Sequence, residues 1–185
     1  TPHAVSFSGS SNPISLHAGR NEFCAQLDNG SAACWGENAE GQFGLGNTTS
    51  QTSPISLTLP TGRTVASMSV SKDFMCMALD NGSIVCAGRN AEDQLGQGAQ
   101  SARETSWKYV VGLDMVAHTV ALGQDVGCAH LVNGSMVCWG EDAWGLFGNS
   151  TTSYTSRVAS TATQYANFGN GRTAASISLN YRHAC

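Results

Sequence analysis

The chain has 185 residues, a formal net charge of −4 and only 12% charged residues, about half the usual share. No apolar run reaches the roughly 18 residues that a spanning helix needs. Nine basic residues provide no surface for a polyanion, so the composition argues against nucleic acid as well as against a membrane span.

From the N-terminus, the first patterned stretch is ISLHA at 14–18, where apolar and polar residues alternate. Period two marks a half-buried strand. It is followed at 23–44 by FCAQLDNGSAACWGENAEGQFG, then by a Ser/Thr-rich loop and a short strand candidate at 54–57. The whole arrangement then recurs. Strand candidates at 66–70 (ASMSV) and 118–122 (HTVAL) precede MCMALDNGSIVCAGRNAEDQLG at 75–96 and GCAHLVNGSMVCWGEDAWGLFG at 127–148, with outer strand candidates at 109–111 and 157–159. Cys24, Cys76 and Cys128 are 52 residues apart. A fourth strand candidate at 175–179 (ASISL) leads to Cys185, so a fourth unit begins and stops. The repeats are set at 14–64, 65–116, 117–172 and an incomplete 173–185. No segment longer than about ten residues keeps a helical period, and the class is all-β with about four strands per unit.

The cysteine spacing fixes the hairpin. If Asn29-Gly30 were a two-residue turn, Cys24 and Cys34 would lie on opposite faces of the ribbon. If Asp28-Asn29-Gly30 is a three-residue loop with Gly30 in the left-handed region, Cys24 faces Cys34 directly. Directly opposed residues are within disulfide reach. The same holds for Cys76 with Cys86 and Cys128 with Cys138, each pair ten residues apart. Zinc sites usually show gaps of about two to four residues with a second ligand pair, and redox sites show Cys-x-x-Cys. Neither pattern occurs, so cross-strand disulfides are expected ahead of reduced core cysteines or a metal, and they imply an oxidising compartment, outside the cell or on its surface.

Behind each second cysteine, Trp35 and Trp139 are placed to cover a neighbouring sheet, with Ala87 in the tryptophan's place in the second unit. Gly36, Gly88 and Gly140 let the chain turn. Gln42 and Gln94 are expected to bond orphan backbone groups at the base of the next turn, where the third unit has Leu146. Asp93 replaces Gly41 and Gly145 at a station where an aspartate tolerates positive φ.

Repeats of about fifty residues with this Cys-Trp-Gly and Gly-Gln-x-Gly pattern resemble the RCC1 family, from about residue 14 onward. The two-cysteine variant is similar to secreted RCC1-like propellers rather than to the nuclear exchange factor. The resemblance implies a β-propeller of seven four-stranded blades, of which this chain supplies about three and a half. A ring needs closure, and seven units of 52 residues would take roughly twice this length. The chain is therefore expected to be part of a longer propeller or to meet other chains head to tail, with Cys185 bonded to a cysteine outside these residues.

No catalytic constellation is evident. Glu37, Glu40, Glu92, Asp93, Glu141 and Asp142 recur at matching loop positions, which suits fold chemistry or solvated turns better than one acid-base pair. His3, His17, His118, His130 and His183 have no ligand spacing. No phosphate-binding loop, metal set or cofactor motif is found. Five Asn-x-Ser/Thr sequons are present. Asn29, Asn81 and Asn133 are also turn residues, whereas Asn47 and Asn149 lie in polar loops and are the stronger candidates for N-glycans. The functional expectation is a non-enzymatic extracellular binding or structural module that contacts protein partners or itself in a larger assembly. The alternative is a secreted propeller that recognises or inhibits one protein or glycan.

Overall fold

The computed structural model describes residues 4–142, 145–147, 158–165, 173–180 and 183–184. Strands β1 (Pro13–Ala18), β2 (Glu22–Leu27), β3 (Ala32–Gly36) and β4 (Gln51–Ser56) form the first sheet. The second holds β5 (Val65–Val70), β6 (Phe74–Leu79), β7 (Ile84–Arg89) and β8 (Arg103–Tyr109). The third holds β9 (Ala117–Leu122), β10 (Val126–Leu131), β11 (Met136–Glu141) and β12 (Val158–Tyr165). Each is an antiparallel meander in chain order, and there is no helix among the described residues. A short hairpin of β13 (Leu179–Asn180) and β14 (His183–Ala184) follows. The period-two segments at 14–18, 66–70 and 118–122 are the first strands of the three sheets. The fourth, expected at 175–179, pairs only at its end.

The outer strands differ from expectation. They run over 51–56, 103–109 and 158–165 instead of 54–57, 109–111 and 157–159. The reason is a register break opposite the glycine after the second cysteine: Cys34 pairs with Ile55 but Gly36 with Gln51, Cys86 with Lys108 but Gly88 with Glu104, and Cys138 with Gln164 but Gly140 with Ala159. Extra residues on the outer strand interrupt its alternation, so only its regular end carries a readable pattern.

Within each sheet the central hairpin has the three-residue loop. Cys24 faces Cys34, Cys76 faces Cys86 and Cys128 faces Cys138, each pair disulfide-bonded with Cα atoms 4.1 Å apart. That short separation belongs to a non-hydrogen-bonded pair. Cys185 lies outside the described residues.

The core lies between sheets. Cys24, Cys34, Phe43 and Leu57 of the first meet Met68, Met75 and Met77 of the second. Phe74, Cys76, Ile84 and Leu95 of the second meet Val120, Leu122 and Trp139 of the third. Trp139 is fully buried, lies over Gly96 and Gly127, and donates from Nε1 to the Gln94 carbonyl at 2.9 Å. At the preceding junction Ala87 leaves the corresponding space open. Trp107 of β8 packs on Gly44 instead and donates to the Thr58 carbonyl at 2.9 Å. One contact face has no covering sheet among the described residues: Leu16 is 61% exposed, whereas its counterparts Met68 and Val120 are 2% and 5% exposed. β1 is accordingly more open than its alternation suggests, and Trp35 stacks on Phe23 of its own sheet with centroids 5.7 Å apart.

Trp139→Ala should lower stability by about 3–5 kcal/mol, as loss of a fully packed ring does. Trp35→Ala should cost less than half as much, and thermal melts of the two variants check the order. Peptide mapping without reduction should recover the links 24–34, 76–86 and 128–138, and replacing any one pair should cost no more than about 3 kcal/mol because the closed ring is short.

Candidate interaction face

The hairpin tips are built alike. In each, the glycine amide donates to the leucine carbonyl three residues back, Gly30 to Leu27 at 2.9 Å, Gly82 to Leu79 at 2.8 Å and Gly134 to Leu131 at 2.9 Å. All three glycines have φ between +78 and +80°. The preceding asparagine Oδ1 accepts both the amide and the hydroxyl of the following serine, Ser31, Ser83 or Ser135. Such a side-chain turn is local and independent of the rest of the fold.

The tips also join the sheets. The Gly30 carbonyl accepts from the Val65 amide at 2.8 Å, Gly82 from Ala117 at 3.0 Å and Gly134 from Ala174 at 2.8 Å. A methyl on Gly30 would overlap Thr64, one on Gly82 would overlap Val116 and one on Gly134 would overlap Thr173. The Asn-Gly pair thus serves the turn and the contact with the next element at once. Sequence reasoning found the first role and had no signal for the second.

Around the second of these contacts the surface mixes apolar and polar groups. A concavity of about 440 Å³ is lined by Val110, Leu113, Met115 and Val116 together with Asn81, Ser83 and Asp114. Met115, Val116 and neighbouring Val132 are exposed, and the Val132 amide donates to the Val116 carbonyl at 3.1 Å. The matching stations of the other sheets are polar. Asp28 accepts from the amide and side chain of Asn12, and Asp80 accepts from the Thr64 amide and pairs with Arg63 at 3.6 Å. Where the first two sheets have these aspartates, the third has Val132.

At the opposite end of the first strands, a smaller hollow of about 250 Å³ is lined by Gly19, Ser71, Lys72, Gly123, Gln124 and Leu179, among others. Ser71 Oγ donates to the Gly123 carbonyl across the junction, and Lys72 pairs with Asp73 at 3.0 Å.

Several side chains of the recurrent loops serve the fold. Asn38, Asn90 and Asp142 are buried and accept from the Phe43, Leu95 and Phe147 amides. These caps went unread because Asn and Asp alternate at the station. Gln42 and Gln94 Oε1 accept from the Glu40 and Glu92 amides. Glu40 pairs with Arg103 at 3.5 Å. Asp93 takes φ +50° and accepts from Gln97 and Gly98, although burial pushes its carboxyl above the usual range. Burial also raises Asp125, opposed by Arg89 at 2.5 Å. His17, lowered by burial, bonds Ser15 of its own strand at 2.9 Å, and His118 meets His130 edge to face. No group of three metal-ligating side chains converges among the described residues. Asn29, Asn47, Asn81 and Asn133 are all exposed, and Asn149 lies outside the described residues.

Residues 29–78 match the regulator of chromosome condensation (RCC1) repeat. The fold superposes on Prp20p from Saccharomyces cerevisiae with a TM-score of 0.78 at 17% identity, covering 91% of this chain and 42% of that one. Human WBSCR16 gives 0.74 at 17% identity, with 91% and 42% covered. The CRINKLY WD40 ectodomain of the Arabidopsis thaliana receptor kinase ACR4 gives 0.57 at 16% identity, with 96% and 49% covered. The chain therefore spans less than half the length of these structures, and the likeness to them is one of fold. With an RCC1 repeat matched over residues 29–78 and three four-stranded meanders packed against one another, the chain is similar in fold to RCC1 β-propellers, its sheets standing as consecutive blades.

Proposed function

We propose that this chain is a non-enzymatic extracellular module that contacts proteins through the loops of its blades, as part of a larger assembly. The observation that carries the reading is the apolar surface of Met115, Val116 and Val132 at the junction of the second and third blades. Exposed apolar residues gathered around a concavity favour contact with another protein, and the first two blades carry aspartates where Val132 stands. Precedent for protein contact on this fold comes from Prp20p, whose binding to Gsp1p and histones is described, and from its complex with Kap60. Three buried disulfides support an oxidising compartment, and an ectodomain of similar fold supports an extracellular one. The alternative, recognition of one protein or glycan, draws on the hollow where Ser71, Lys72 and Gln124 stand beside Val70, Leu122 and Leu179.

Light scattering across a concentration series separates the two readings. An assembly module gains mass with concentration, and Met115→Asp with Val116→Asp should return it to the single-chain mass. A chain whose association is indifferent to these changes would exclude this face. N-glycans are proposed at Asn47 and Asn149 ahead of the hairpin sites, since Asn47 lies in the loop between β3 and β4 and not on a tight tip. Glycopeptide mapping of protein from its native source should show occupancy in that order, and sugar confined to Asn29, Asn81 and Asn133 would reverse it.

A further inference from the structure

β6 and β10 begin with Phe74 and Val126, and at the same station β2 begins with Glu22. It is 1% exposed. Its Oε2 accepts from the Asn21 amide at 2.8 Å, and its Oε1 is buried without a hydrogen bond of ordinary geometry, although the Gln42 side chain lies close enough to favour the charged form. A methyl on Gly19 would overlap both Glu22 Oε1 and the Ser71 carbonyl oxygen, so an oxygen from each of the first two blades converges on one small volume. An ionised carboxylate brings only acceptors to such a place, whereas a protonated one brings a donor.

The charges around it differ from those at the next junction. There, Arg89 pairs with Asp125 at 2.5 Å, and Gln94 Nε2 donates to the same oxygen at 3.0 Å. At the first junction the corresponding stations hold Glu37, Asp73 and Gln42, with no arginine. Glu37 Oε2 accepts from Asn21 Nδ2 at 2.6 Å, Lys72 neutralises Asp73 from the solvent side, and Arg20 of the same turn is exposed.

We propose that the junction between the first and second blades is a proton-controlled seam. With its proton, Glu22 donates toward the Ser71 carbonyl of the next blade and the seam is closed. Without it, two acceptors face each other beside Glu37 and Asp73, and the seam loosens. Burial, opposed by the Asn21 amide and the Gln42 side chain and reinforced by Glu37 and Asp73, pushes this carboxyl from 4.5 up to about 7. The raised value means that the folded chain keeps a proton that the unfolded chain gives up. The stabilisation is therefore complete below about pH 4.5 and is lost as pH rises through about 7.

Hydrogen exchange of the intact chain, corrected for intrinsic rates, tests this with the second junction as internal control. Between pH 5 and pH 8, protection of 19–27 and 65–75 should fall roughly tenfold relative to 117–127. Glu22→Gln, whose amide has the shape of the carboxyl without its titrating proton, should flatten the difference. Glu37→Arg, which restores the charge found at the second junction, should move the transition to lower pH and serves alone if Glu22→Gln does not fold. Equal pH dependence at both junctions, or a transition unmoved by either substitution, would overturn the proposal.

Discussion

The contact between one hairpin tip and the strand that opens the next blade is the constraint on which the rest depends. A three-residue loop with its glycine at positive φ turns the glycine carbonyl outward, where it accepts from the Val65, Ala117 or Ala174 amide. The same loop length puts the two cysteines of each hairpin face to face. A two-residue turn would slip the register by one, carry every side chain of the strand to the other face and separate the sulfurs. Turn, disulfide and blade-to-blade contact are thus consequences of one backbone conformation. That accounts for the recurrence of Asn-Gly-Ser with the cysteines at an unchanged distance on either side.

The repetitive parts were legible for this reason. Spacing alone gave the hairpins, the pairing of Cys24 with Cys34 and its two equivalents, and the first strand of each blade, because these rest on local turn chemistry and on period two. The outer strands were read short because a register break opposite Gly36, Gly88 and Gly140 disturbs the alternation. Long-range compensation left no trace at all. Ala87 reads as a lost tryptophan in its own repeat, and only the packed structure shows Trp107 of the same blade filling space over Gly44 of the blade before. The apolar face was hidden for a similar reason. Val132 is one substitution within a hairpin, and its meaning depends on Met115 and Val116 being brought beside it.

What the blades share makes the scaffold, and where they differ the surface acquires individual chemistry. Asp28 and Asp80 tie down the segment that opens their own blade, whereas Val132 leaves that role to a backbone bond and exposes carbon instead. Phe74 and Val126 fill their junctions with apolar volume, whereas Glu22 fills the same station with an ionisable group. Removing a side chain from a buried apolar station leaves a cavity, but placing a carboxyl there makes burial depend on a proton. The two junctions share strand order and hairpin register, and differ in whether burial at this station depends on a proton.

One further difference concerns the entry to the first blade. Val65, Ala117 and Ala174 each give an amide to the glycine carbonyl of the blade before. Val65 pairs with Leu79 and Ala117 with Leu131, and the residue that pairs with Leu27 in the first blade is Pro13. Proline has no amide hydrogen. A hairpin tip placed against β1 could offer its carbonyl but would receive no bond at this station, so contact there would rest on Ile14, Leu16 and Phe23, which are exposed on that side. Apolar contact is less directional than a hydrogen bond. At this station the first blade thus has no backbone donor of the kind that ties the second and third blades to the tips before them, and carries exposed apolar side chains instead.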